Sequence, residues 1–166
     1  ASFPLSLGGF RRQFFLFLYI LLGKFARDFI FKIPEVLKTE KNPNPTASMV
    51  TNGYLLMFGP EHAEEQYRAL ENHKECDAGT KNIKGSELSS VFPYINNDGI
   101  ETATYTDNQS EGWIDPFMFH GALKSKAIEL GAEFIKGEVK SISEIKANTI
   151  ISAAGCWTKK LLDDIP

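Results

Sequence analysis

The run Thr149-Ile-Ile-Ser-Ala-Ala-Gly-Cys-Trp-Thr158 constrains the fold more than any other stretch of the chain. Thr149, Ile150 and Ile151 are β-branched and read as a buried strand. Ala153, Ala154 and Gly155 then form a turn almost without side chains, which another backbone or a ligand can approach closely. Trp157-Thr-Lys-Lys-Leu-Leu-Asp-Asp164 reads as the opening of a helix. Strand, small-residue turn and helix in succession are the unit with which open α/β sheets present ligands at their strand ends. A plain buried strand closed by a tight turn fits the same residues, so segments further up the chain must decide.

The chain has 166 residues, enough for one ordinary domain or for two small lobes sharing a core. Its 13 phenylalanines supply most of the core volume. A formal charge of -3 and a pI near 5.7 lack the basic footprint of a nucleic-acid binder. Cys76 and Cys156 lie far apart, and no Cys/His spacing matches a zinc site, so both read as reduced packing residues. The first residue is Ala1 rather than Met, and Ile165-Pro166 follows directly on a helix-like run. The stretch therefore reads as cut from a longer protein.

Phe14-Phe-Leu-Phe-Leu-Tyr-Ile-Leu-Leu22 is uninterrupted apolar sequence behind Arg11-Arg12, in the style of a signal sequence. It is far shorter than the roughly 20 residues of a spanning helix. Lys24, Arg27 and Asp28 prevent its extension, and Lys24 occupies the zone where a cleavage site needs small residues. A buried helix is the favoured reading, with peripheral membrane contact as the alternative and a signal peptide behind both.

Residues 1–13 read as a loop, and Phe14 to Leu37 as a helix broken near Pro34. Val50–Phe58 is strand-like and ends at Gly59-Pro60. From Pro60 to Ala78 the pattern is helical, with Glu61, Glu64 and Glu65 at its positive end and Gly79 as the expected cap. Ala63, Tyr67 and Leu70 are its expected apolar stripe. Ser86–Phe92 is a short helix stopped by Pro93, and Gly99–Thr106 alternates as a strand does. Asp115-Pro116 is a strong helix start, with Asp115 as cap and not as catalytic acid. Phe119, Leu123, Ala127 and Leu130 are expected on its core face, and Phe134–Ile145 is expected to be a strand. His62, His73 and His120 fall in helices without convergent partners and suit surface or core roles.

Four segments in order carry a resemblance: Gly8-Gly-Phe-Arg-Arg-Gln-Phe14; Asn52-Gly-Tyr-Leu-Leu56; Glu111-Gly-Trp-Ile-Asp-Pro116 with Gly137-Glu-Val139 after its helix; and Ile151-Ser-Ala-Ala-Gly-Cys-Trp157. The series resembles the FAD-dependent oxidoreductases of the D-amino-acid oxidase, sarcosine oxidase and glycine oxidase superfamily. The resemblance implies an α/β fold with a partial FAD/NAD(P)-binding (Rossmann-like) lobe, residues 1–47 and 113–166. A mixed-sheet α+β substrate lobe, residues 48–112, would accompany it. It implies FAD as cofactor, and a small amine or amino acid as the substrate that gives up a hydride. The implied cofactor-binding residues are Gly8, Gly9, Arg11 and Gln13 beside the flavin ring. Val139 would serve at the adenine end, Ala153, Ala154 and Gly155 at the phosphates or ribose, and Trp157 would pack beneath them. Arg12 departs from the family pattern. A mitochondrial setting is also implied. The alternative is a non-catalytic assembly factor or subunit of a mitochondrial respiratory complex.

Two departures bear on the cofactor. No Gly-x-Gly-x-x-Gly turn occurs between Ala1 and Pro166, so the pyrophosphate lacks its usual helix N-terminus. FAD binding by this stretch alone is therefore expected to be weak or absent, the stretch being the middle of such a protein. The second departure concerns Val139 and Ile150, whose strands would run parallel in the family. Only about ten residues separate them, too few for the dozen or more of a parallel crossover.

Overall fold

The computed structural model describes residues 5–107 and 109–162, and divides at Gly131 into two compact units. Asp163 and Asp164, the expected continuation of the last helix, lie outside the described residues.

The first unit is α/β, with antiparallel sheets. Strand β1 (Gly9–Phe10) pairs with β5 (Gly112–Trp113) in the register Gly9↔Trp113 and Phe10↔Gly112. A second sheet has the order β2–β4–β3, from Leu55–Phe58, Thr102–Tyr105 and Lys81–Lys84. Around these lie α1 (Phe17–Phe31), α2 (Ile33–Val36), α3 (Pro60–Glu75), α4 (Leu88–Val91) and α5 (Pro116–Glu129). The loop expected over residues 1–13, of which 1–4 lie outside the described residues, therefore contains a short strand. β3 was missed because Lys81-Asn-Ile-Lys84 has one apolar residue, and only Ile83 is buried.

Three apolar clusters hold the unit together. Phe10, Ile30, Ile33, Leu37, Ala47, Ile114 and Ala122 join β1 and β5 to the end of α1, α2 and α5. Ile20, Cys76 and Ala78, with Phe14 against them, join α1 to the end of α3. Ile83, Leu88 and Ala103 cover one face of the larger sheet.

The helix break near Pro34 occurs as expected, with Pro34 in the first turn of α2. Asp115 caps α5, its carboxylate accepting from Met118 N at 3.0 Å. Three other expectations are corrected. α3 stops at Glu75 with Cys76 as its C-cap, and Asp77 rather than Gly79 takes the left-handed position that follows it. Asp77 takes φ +48°, while Ala78 N donates to His73 O and Asp77 N to Lys74 O. That is the paired Schellman arrangement, in which Asp tolerates the left-handed position that usually goes to Gly.

The buried stripe of α3 is Ala63, Gln66, Ala69 and His73, with Tyr67 exposed. The helix is rotated from the apolar reading because its neighbours offer polar partners, the Thr104 hydroxyl and the Phe14 carbonyl. On α5, Ala122 faces the core with Phe119 packed nearby, whereas Leu123 and Leu130 are exposed.

In the second unit a 3₁₀ turn at Ile142–Glu144 is capped by Ser141, and another at Gly155–Trp157 leads into α6 (Thr158–Leu162). The strands expected over Phe134–Ile145 and Thr149–Ile151 are not formed. β-prone residues form a strand only where a neighbouring strand takes their N–H and C=O groups, and Lys146–Thr149 is too short to supply the crossover.

Candidate functional site

The loop Gly8–Gln13 enters on β1 and leaves into α1. Gly8 has φ +67°, and Gly8 O accepts from Ile114 N at 3.0 Å. A side chain on Gly9 would overlap the hydroxyl of Tyr54. Gly23 of α1 serves the same loop, because a Cβ there would come within 2.5 Å of Arg11 O. Glycine at these positions lets a strand, a helix and Tyr54 close around the Arg11–Arg12 backbone.

Glu111 fixes the loop from the other side. It is fully buried, and its Oε1 accepts from the backbone N–H groups of Arg12 and Gln13, the latter at 3.1 Å. Its Oε2 accepts from Gln13 Nε2 at 2.8 Å and from Thr106 Oγ1 at 2.7 Å. Every contact comes from a donor, which suits a carboxylate. Gln13 also donates to Tyr54 O at 3.2 Å, and its own Oε1 is buried without a partner. Arg12 is no solvated basic residue. Burial pulls its guanidinium below the usual arginine range, Glu111 opposes that shift, and Arg27 adds to it.

With Arg12 and Gln13 held inward, Arg11 is left at the mouth of two cavities. One, about 560 Å³, is lined by Gly9, Phe10, Arg11, Phe14, Tyr19, Leu22, Gly23, Ala26 and Tyr54. The other, about 270 Å³, is lined by Arg11, Gln13, Phe14, Phe15, residues 55–58 and Gln66. Arg11 lies over the Phe14 ring at 4.8 Å. The larger cavity is aromatic and apolar with one cation at its rim, which suits a flat ring system that gathers negative charge.

His73 is buried, with Nε2 at 2.8 Å from Phe14 O and Nδ1 unpartnered. Burial lowers its pKa below the usual 6.5, while the Phe14 carbonyl and Glu111 pull it upward. It is a core histidine that ties α3 to the segment entering α1.

The structure thus brings Gly8, Gly9, Arg11 and Gln13 together in the first unit. Val139, Ala153, Ala154, Gly155 and Trp157 belong to the second. There Val139 and Trp157 are exposed, and Gly155 takes φ +58° with open space where a Cβ would stand. Sequence reasoning missed Tyr54, Gln66 and Glu111. The one signal for Glu111 was a charge directly before the apolar Gly112-Trp-Ile114 segment, where a carboxylate goes under only if donors meet it.

Residues 18–166 match the family model described as DAO, FAD dependent oxidoreductase. The chain is 32% identical over 139 residues to the FAD-dependent oxidoreductase domain-containing protein 1 of Bos taurus, covering 84% of this chain and 28% of that protein. Against the protein of the same name from Xenopus laevis it is 32% identical over 153 residues, 90% of this chain and 30% of the relative. Among solved structures, the L-proline dehydrogenase from P. horikoshii shares the fold with a TM-score of 0.58 at 23% identity. That match covers 80% of this chain and 34% of the other. The chain spans less than a third of the length of these curated relatives.

Proposed function

This chain belongs to the DAO family of FAD-dependent oxidoreductases, and on that premise we propose that it forms part of an enzyme oxidising a small amine or amino acid. The observation that carries the reading is the loop Gly8–Gln13, pinned by Glu111, with Arg11 as the charged side chain in the lining of an aromatic cavity. Bound FAD supplies the two-electron acceptor for such chemistry. Arg11 would offer a fixed positive charge to a flavin ring that becomes more negative on taking up a hydride. Phe14, Tyr19 and Leu22 give that cavity apolar and aromatic walls. Gln13 and Glu111 orient the loop and do not touch the reacting atoms.

The remaining assignments follow the family. Val139 would serve the adenine end, Ala153, Ala154 and Gly155 the phosphates or ribose, and Trp157 would pack beneath. Residues 1–47 and 113–166 form the FAD lobe, and 48–112 the substrate lobe. The residues present suit the ring end of the cofactor better than its pyrophosphate, for which the chain has no Gly-x-Gly-x-x-Gly turn. The proposed compartment is the mitochondrion.

The test uses the native polypeptide. Purified anaerobically, it is expected to carry flavin that bleaches on addition of a small amine or amino acid. Arg11→Met should keep the flavin and slow bleaching by about 10²-fold, as loss of one charge-stabilising group does. Flavin that no amine or amino acid reduces overturns the substrate assignment.

A second reading, a non-catalytic assembly factor of a respiratory complex, is favoured by one feature. Leu18, Leu21, Leu22 and Phe25 lie exposed along one face of α1. A native polypeptide lacking flavin but recovered in a stable complex would select it. Peripheral membrane contact by the same face would require binding to lipid vesicles. Among the described residues no helix is long and apolar enough to cross a membrane.

A further inference from the structure

One face of the larger sheet is only partly covered. Pairing sets Ile83 opposite Ala103 and Leu55 opposite Tyr105, and residues two apart along β4 share a face. Leu88 of α4 closes over Ile83 and Ala103. That helix lasts a single turn, because Pro93 disfavours helical backbone at Phe92, where φ is -125° and ψ 77°. The cover therefore stops short of the end where Leu55 and Tyr105 lie. A cleft of about 880 Å³ stands there, within the size range of small-molecule sites. Its lining shares Tyr54 with the cavity beside Arg11 and includes no residue of the loop Gly8–Gln13.

The rings of Tyr54, Phe92, Tyr94 and Tyr105 all line this cleft. Phe92 meets Tyr105 at 5.4 Å and Tyr94 at 6.3 Å, both edge-on. Edge-on contact engages the rim of one ring, which leaves ring faces for a further ring. Tyr94 is 80% exposed, so most of its surface has no cover among the described residues.

The charges at the cleft are already paired. Lys81 Nζ lies 2.6 Å from Asp107 Oδ1, and Arg27 Nη1 lies 2.8 Å from Asp28 Oδ1. Arg27 nonetheless keeps donors to spare. Of its five N–H groups, the bonds to Asp28 and, at a long 3.4 Å, to Gln109 O engage only part. The guanidinium rests on the Phe31 ring at 4.0 Å, which fixes its place at the rim.

We propose that this cleft binds a small neutral molecule with a flat ring and a carbonyl oxygen. The ring would lie against Tyr94 and Tyr105, and the oxygen would accept from Arg27. An anion would have to compete with Asp28 for Arg27, and a cation would meet Lys81 and Arg27 together. An aliphatic occupant would strip water from the guanidinium donors and return nothing to them. None of this depends on the proposed activity, in which neither Arg27 nor Tyr94 takes part.

The test is isothermal titration of coumarin, a flat neutral ring system with one carbonyl, into the polypeptide as its source organism makes it. Saturable binding at a single site is expected. Arg27→Met should weaken it by about 10-fold or more, as loss of a charged donor does. Tyr94→Ala, at an exposed position, should weaken it by about 5-fold through the lost ring contact. Naphthoate, of similar shape but anionic, should bind no tighter than coumarin. Should the Arg27 variant fail to fold, the Tyr94 variant still decides. Absence of saturable binding overturns the proposal, including the case in which further residues of the native polypeptide fill the cleft. Binding unchanged by Tyr94→Ala overturns it too, since the ligand then sits elsewhere, and tighter binding of naphthoate overturns the neutral occupant.

Discussion

A carboxylate buried without water gains little by itself, because its desolvation is costly unless donors replace the lost hydration. Glu111 meets that condition, and the consequence is a loop whose backbone is set from below while the half-buried Arg11 lies over the Phe14 ring. Gly9 shows the complementary constraint from above. Gly9→Ala is expected to cost about 1–3 kcal/mol through overpacking against Tyr54. In a Tyr54→Phe background most of that cost should vanish, because the hydroxyl is the atom in the way. Urea denaturation of the four variants measures the coupling, and an unchanged cost in both backgrounds would refute the contact.

His73 makes a pH dependence at the same scale. Its folded pKa lies below the unfolded value near 6.5, so the unfolded chain binds the extra proton first as pH falls. The stabilisation is complete above about pH 6.5 and is lost as the pH drops from there through the folded pKa. Tm measured from pH 7.5 down to 5 should fall, and His73→Gln should flatten that part of the profile.

Among the elements, the helices were legible where a local signal defined them. Asp115-Pro116 starts α5 because cap and first turn are four adjacent residues that need no distant partner. Asp115→Ala should cost about 0.5–2 kcal/mol, read from thermal unfolding, through loss of the bond to Met118 N. The stripe of α3 was misread because apolarity alone cannot foresee that Gln66 and His73 find a hydroxyl and a carbonyl. The same lesson applies to the apolar run at Phe14–Leu22. It forms a helix as expected, yet Leu16, Leu18 and Leu22 are more than half exposed, so the expectation of burial is corrected. Burial needs a facing surface, and among the described residues of the first unit α1 buries Ile20 and Ile30.

At the scale of the molecule, four of the nine residues assigned to the cofactor stand in the first unit and five in the second. FAD titrated into the 166-residue chain is therefore expected to bind weakly, without a stoichiometric end point in fluorescence quenching. The native polypeptide should retain it through gel filtration. Tight stoichiometric binding by the shorter chain would show that the absent fingerprint is dispensable.

Read alone, the amino-acid order was enough for family membership, for the α/β class, and for the helices marked by Pro34, Pro60 and Asp115-Pro116. Each of these rests on residues close together in the chain, or on motifs in a set order. Folding in three dimensions decided the rest: which face of α3 goes inward, that Glu111 anchors the loop, and that the stretches after Gly131 expected as strands form none among the described residues. A strand, a buried carboxylate and a buried amide each need partners that lie far away along the chain, and only tertiary contact supplies or withholds them.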